Sequence, residues 1–140
     1  MVTFFLPNRL EIANTRSEVS LATEKIIGCA MKVHRYFGPG FPEKVYQRAL
    51  MIELGKIGLS VKQEVERDII YDRKIIHKRR PDLIIENIVL LELKAIKEVD
   101  NGDYNQIINY LRIFKIEVSL LFNFGLPSLY FKRFVNSHIH

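Results

Sequence analysis

Two short apolar runs constrain this chain more than any other feature. Leu83–Ile85 and residues 88–93 are almost wholly apolar, and only Glu86-Asn87 stands between them. They are too short for typical helices and too apolar for strands with one wet face. They therefore read as neighbouring central strands, covered on both sides. Such a sheet needs helices on both faces. From about Ser17, Ile26, Ala30, Val33 and Phe37 recur at helical spacing, with Ile27 and His34 alongside, and Gly38-Pro39-Gly40 stops the helix. A second helix is expected from about Pro42, with Val45, Ala49 and Ile52 on its core face and Gly55 or Gly58 at its end. A third, from 103 to 115, carries Ile107, Ile108, Leu111 and Phe114.

Elsewhere the period is two. Val61, Gln63, Val65, Arg67, Ile69 and Tyr71 alternate with mostly charged neighbours and predict one half-buried strand. Asp72-Arg73 reads as a turn into a short strand at 74–77. Two closing strands, Val118–Asn123 and 129–134, are separated by Gly125 and Pro127. The predicted order is α-α-β-β-β-β-α-β-β, an α/β chain with a mixed sheet flanked by helices. Residues 1–16 show no clean period and read as a loosely ordered arm, leaving 17–140 as a single domain.

The 140 residues suffice for one domain that buries roughly 70% of its unfolded surface. No stretch approaches the ~18 apolar residues of a membrane helix, and Met1-Val-Thr-Phe-Phe-Leu-Pro7 lacks the basic flank of a secretory signal. The single cysteine, Cys29, reads as a buried structural thiol. Together these favour the cytoplasm. The net charge of +5 favours a polyanionic partner weakly. Its distribution says more, because Lys74, His77, Lys78, Arg79 and Arg80 crowd one run, while Arg112, Lys115, Lys132 and Arg133 form a second group. Either group alone reads equally well as a solvated surface.

Immediately after the first basic run comes Pro81-Asp82, and ten residues beyond Asp82 comes Glu92-Leu93-Lys94. Residues two apart on a strand share a face, so Glu92 and Lys94 project together. Two carboxylates and an ammonium at strand ends suit Mg²⁺- or Mn²⁺-assisted phosphodiester cleavage, because a hard cation takes a few carboxylates and keeps several waters. The plainer reading is a salt bridge between Glu92 and Lys94. Against it, both charges interrupt the most apolar strand, where an unpaired charge is expensive to bury.

Strand parity makes a sharper demand. A two-residue turn at Glu86-Asn87 would pair Ile85 with Ile88 and Asp82 with Leu91, turning Glu92 away from Asp82. A shared site requires a three-residue connection, Glu86-Asn87-Ile88, or a bulge. Asn87 is the residue best suited to a left-handed conformation there.

Two further segments accompany this set. Gly40-x-x-Glu43-x-x-Tyr46 puts Glu43 and Tyr46 on one helix face, where the helix dipole alone would explain Glu43 and core packing Tyr46. Gln106 and Tyr110 stand four apart on the third helix; Gln106 could equally complete an Asp103-x-x-Gln106 cap. His34 reads as a hydrogen-bonded packing residue, and His77, His138 and His140 offer no spacing that favours zinc.

With these parts in this order the chain resembles the GxxExxY proteins, a branch of the PD-(D/E)xK nuclease-like superfamily. The resemblance runs from about Ile26 to Phe134. It rests on Val33-His-Arg-Tyr-Phe-Gly-Pro-Gly40 leading to Glu43 and Tyr46, on Asp82-Leu-Ile-Ile85, Glu92-Leu-Lys-Ala95 and Gln106-Ile-Ile-Asn-Tyr-Leu111, and on Asn123-Phe-Gly125. It implies a restriction-endonuclease-like core. It also implies that Asp82, Glu92 and Lys94 are the active-site positions, that Glu43 is a helix-borne acid, and that Gln106 and Tyr110 are an accessory pair.

The expectation is thus a Mg²⁺- or Mn²⁺-dependent nuclease acting on DNA or RNA. Asp82, Glu92 and Glu43 would hold the metal directly or through water, and Lys94 would be the fourth catalytic group. Tyr46, Gln106 and Tyr110 would be accessory, and Lys78, Arg79, Arg80, Arg112 and Lys115 would guide nucleic acid. A non-catalytic binding module on the same fold is the alternative, and homo-oligomerisation stays open. A small-molecule enzyme has little support, since the chain lacks a Gly-rich phosphate loop and a Ser-His-Asp pattern.

Overall fold

The computed structural model describes residues 9–97 and 101–135. It opens with a 29-residue helix, α1 (Arg9–Phe37), followed by α2 (Glu43–Lys56). Five strands come next: β1 (Val61–Gln63), β2 (Arg67–Tyr71), β3 (Lys74–Arg79), β4 (Leu83–Ile85) and β5 (Val89–Lys94). Helix α3 (Asn101–Phe114) then leads to β6 (Val118–Asn123) and β7 (Tyr130–Val135).

The main sheet has the order β1-β4-β5-β6-β7. Only β5 and β6 run parallel, joined across the sheet by α3, and the other pairs are antiparallel. As the apolar runs require, β4 is buried throughout and β5 is buried up to Lys94. Alternation sorts their side chains. Leu83, Ile85, Val89, Leu91 and Leu93 join Ile26, Ala30, Val33, Leu50 and Leu54 of α1 and α2 in the larger core. Ile84 and Leu90 point to the other face, against Tyr110 of α3 and Ile116.

Four expectations change. Helix α1 already includes residues 9–16, part of the expected arm, and residues 1–8 lie outside those described. The segment between Pro7 and Gly28 holds no proline or glycine, so nothing stops a helix propagating even where its apolar period fades. On α2 the buried residues are Tyr46, Gln47, Leu50 and Leu54, while Ile52 is exposed. The expected strand from Val61 to Tyr71 is two strands in different sheets, because Glu64 takes φ +50° and breaks the ladder. Helix α3 begins at Asn101, so Asp103 lies inside it and is not its cap.

The connection from β4 to β5 is the three-residue Glu86-Asn87-Ile88: Ile85 pairs with Val89 and Leu83 with Leu91. Glu86 (φ +53°) and Asn87 (φ +58°) are both left-handed, and the Ile88 N–H closes the turn on the Ile85 carbonyl at 3.0 Å. Glu86 is held in that conformation by Ser60, whose backbone N–H and hydroxyl donate to its two carboxylate oxygens.

Candidate active site

This register carries Asp82 to the position opposite Glu92, on the face that holds Ile84 and Leu90. The two residues are tied reciprocally. The Asp82 backbone N–H donates to Glu92 Oε1 at 3.1 Å, and the Leu93 N–H donates to Asp82 Oδ2 at 2.7 Å. From the other side, the Glu64 N–H reaches the Asp82 carbonyl at 3.0 Å, so β1 fixes the start of β4.

Burial dominates the electrostatics. Glu92 is only 6% exposed; desolvation, reinforced by the Asp82 charge, pushes its carboxyl up to about 8. Burial also raises Asp82, against the pull of the Leu93 N–H and of Lys94 and Lys44. Glu43, at the start of α2, is raised by burial and then by Asp82, with Lys94 and Lys44 opposing. Half-buried Lys94 thus stands within the electrostatic reach of all three acids. Burial still outweighs the two ammonium groups, so all three carboxyls are raised, an arrangement that a cation would relieve.

Among the described residues no group of three His, Cys, Asp or Glu side chains is placed to hold a metal ion. The donor set that fits is the pair Asp82 and Glu92, which is enough for a hard cation that takes one or two carboxylates and keeps its waters. Glu43 does not complete a three-carboxylate cluster, and its expected link to the metal is left to a bridging water.

The Gln106 side-chain amide donates to the Tyr110 hydroxyl at 2.8 Å. Burial and the Glu92 charge raise the Tyr110 phenol, with Gln106 and Arg79 opposing, so this pair borders the carboxylates. Tyr46 has a different place. It is fully buried and stacked on Phe124 at 4.6 Å; its hydroxyl donates to the Gly38 carbonyl and accepts from the Phe41 N–H. It shapes the loop that delivers Glu43. His34 is also a packing residue, buried with Nε2 2.8 Å from the Leu126 carbonyl oxygen.

The basic residues divide. Arg79 is half-buried near Tyr110, with a buried Nε that has no hydrogen-bond partner. Lys78, Arg80, Arg112 and Lys115 are exposed. Sequence reasoning singled out Asn123-Phe-Gly125 without a role. The fully buried Asn123 amide grips the chain just past Lys94: Oδ1 accepts from the Ile96 and Gly125 N–H groups, and Nδ2 donates to the Ile96 carbonyl at 2.8 Å.

A family model for the PD-(D/E)XK nuclease superfamily matches residues 20–134. The chain belongs to that superfamily, and its mixed five-stranded sheet with flanking helices is a restriction-endonuclease-like fold. Among solved structures it is similar to the crystal structure of SSO0001, with 23% identity and a TM-score of 0.52 over 66% of this chain. It covers 49% of that protein, about half its length. No curated protein matches the sequence.

Proposed function

We propose that this chain is a divalent-metal-dependent nuclease of the GxxExxY branch that hydrolyses DNA or RNA phosphodiester bonds. The observation that supports this most is the reciprocal tie between half-buried Asp82 and buried Glu92, two carboxyls beside Lys94. Asp82 and Glu92 would hold Mg²⁺ or Mn²⁺. The ion would supply Lewis-acid polarisation of the phosphate and a water of lowered pKa.

The protein's own groups do the rest. Lys94, on the same strand face as Glu92, donates charge-assisted hydrogen bonds to the phosphate oxygens as negative charge grows on them. Glu43 accepts a hydrogen bond from the attacking water and orients it. Tyr110, aligned by Gln106, fixes the substrate or the Lys94 ammonium. The burial that raises Glu92 also excludes bulk water, so each charge acts in a low dielectric.

The test is cleavage of single-stranded DNA, duplex DNA and RNA in Mg²⁺, in Mn²⁺ and in EDTA. The wild type should cut at least one form only with metal. Lys94→Ala should lower the rate by roughly 10²–10³, the range for losing one group that stabilises transition-state charge. No cleavage of any form, or an undiminished Lys94→Ala rate, would overturn the reading.

A further inference from the structure

The β2–β3 hairpin stands apart from the main sheet as a separate two-stranded ribbon. Its main contact with the body is β2 against α3, where the Arg67 guanidinium lies 5.7 Å over the Phe114 ring. Asp72 (φ +50°) and Arg73 (φ +61°) make its tip, a turn with two left-handed residues. Near that tip four large apolar side chains face solvent: Ile70 is 64% exposed, Tyr71 74%, Ile75 58% and Ile76 62%. Ile70 pairs with Ile75, and a register shift between Ile69 and Ile70 leaves Ile76 as the extra residue of a bulge. Tyr71, paired with Lys74, projects from the opposite face, so one apolar patch is formed by Ile70 and Ile75 with Ile76 at the bulge, and such an exposed patch on a small protein marks a contact surface.

The charge around it says what kind. Residues 67–80 hold six Lys or Arg and two Asp, a local +4 within a chain whose net charge is +5. Two copies of such a ribbon would repel one another, whereas a polyanion would be drawn to it. Exposed Arg73 and Lys74 lie at the tip, and exposed Lys78 and Arg80 continue the positive charge toward the base of the ribbon. Shape narrows the choice further. A two-stranded ribbon fits the ~12 Å major groove of B-form DNA and not the narrow major groove of A-form RNA. Apolar side chains can wedge between base steps. Position fits as well, since β3 runs through Arg79-Arg80-Pro81 directly into Asp82, and its six residues span ~20 Å.

We propose that the β2–β3 hairpin is a duplex-DNA-binding arm. Ile70, Ile75 and Ile76 press against the base pairs in a groove, while Arg73, Lys74, Lys78 and Arg80 contact the phosphates along its walls. The arm thereby sets which phosphodiester lies beside Asp82 and Glu92. The inference rests on the nuclease reading above and names duplex DNA as its substrate class.

The test is binding, in EDTA, to a fluorescent duplex of about 20 base pairs, longer than the ~20 Å arm. One strand carries 2-aminopurine to report base unstacking. The triple variant Ile70→Thr/Ile75→Thr/Ile76→Thr keeps the charge and the β-branched strand preference. It should bind about tenfold more weakly with an unchanged salt slope and without the 2-aminopurine signal. Lys78→Ala/Arg80→Ala should weaken binding and flatten the slope. Circular dichroism of both variants checks that the fold persists. Binding by the triple variant within about twofold of wild type would overturn the arm. So would wild-type binding to single strands or duplex RNA as tight as to duplex DNA, or a wild-type dimer that the triple variant dissolves. Because no metal is present, the outcome is independent of cleavage. A wild type that grips duplex DNA through the tip yet cuts nothing would sink the nuclease reading and leave the arm standing.

Discussion

Glu92 is the residue on which the account turns, and its titration gives a test that needs no substrate. Its ordinary value is 4.5, and burial beside Asp82 raises it to about 8 in the folded protein. Between those limits the folded state retains a proton that the unfolded chain has lost. Stability of the metal-free protein should therefore fall as pH rises from about 4.5 to about 8, then level off. Melting curves in EDTA should show this slope, and Glu92→Gln should flatten it. Parallel pH profiles for the two proteins would contradict the buried, proton-holding Glu92. Sequence pointed to Glu92 and Lys94 because charges seldom interrupt so apolar a strand, and to Asp82 by its place after Pro81 ten residues earlier. It could not show that Tyr46 is occupied by the Gly38 loop, since a tyrosine on a helix looks the same whether its hydroxyl meets substrate or backbone.

Among the elements, β5 positions the site, and its end is held from β6. Asn123 bonds Ile96 twice, and a Cβ on Gly125 would come within 3 Å of the Ala95 and Ile96 backbone. Gly125→Ala should thus cost ~1–3 kcal/mol through overpacking against backbone that cannot yield. Asn123→Ala should cost a similar ~1–3 kcal/mol by stranding buried polar groups. Urea denaturation measures both, and wild-type midpoints would show that the clamp is dispensable. Parity made the Glu86-Asn87-Ile88 connection legible in advance, because a one-residue slip moves every side chain to the wrong face. The break at Glu64 was not legible. Val61, Gln63 and Val65 keep alternating through it, and only the backbone angle at Glu64 shows that the ladder ends. The start of α1 was hidden for a related reason, since helical continuity through residues 9–16 needs no apolar stripe.

At the scale of the molecule, an acidic, buried site sits in a chain whose surface is basic. Exposed Lys78, Arg80, Arg112 and Lys115 give a long-range attraction for a polyanion, while the carboxylates of the candidate site favour a cation. Affinity for nucleic acid should fall steeply with salt, and each phosphate contact removed from the Lys78/Arg80 or Arg112/Lys115 pair should lower the slope by about 0.9. An unchanged slope in titrations of either double alanine variant would mark that pair as merely solvated. Overall architecture was readable because apolar runs dictate a covered sheet; the separate β2–β3 ribbon was not, because Val65, Arg67, Ile69 and Tyr71 continue the alternation of Val61 and Gln63 as one half-buried strand would. The central claim is that Asp82 and Glu92 together form a divalent-cation site, and thermal unfolding at pH 7.5 with increasing Mg²⁺ or Mn²⁺ tests it most directly. Wild type should gain about 2.7 kcal/mol at a hundredfold excess over Kd, read as a rising Tm, while Asp82→Ala gains nothing. Equal shifts in the two proteins would contradict the site.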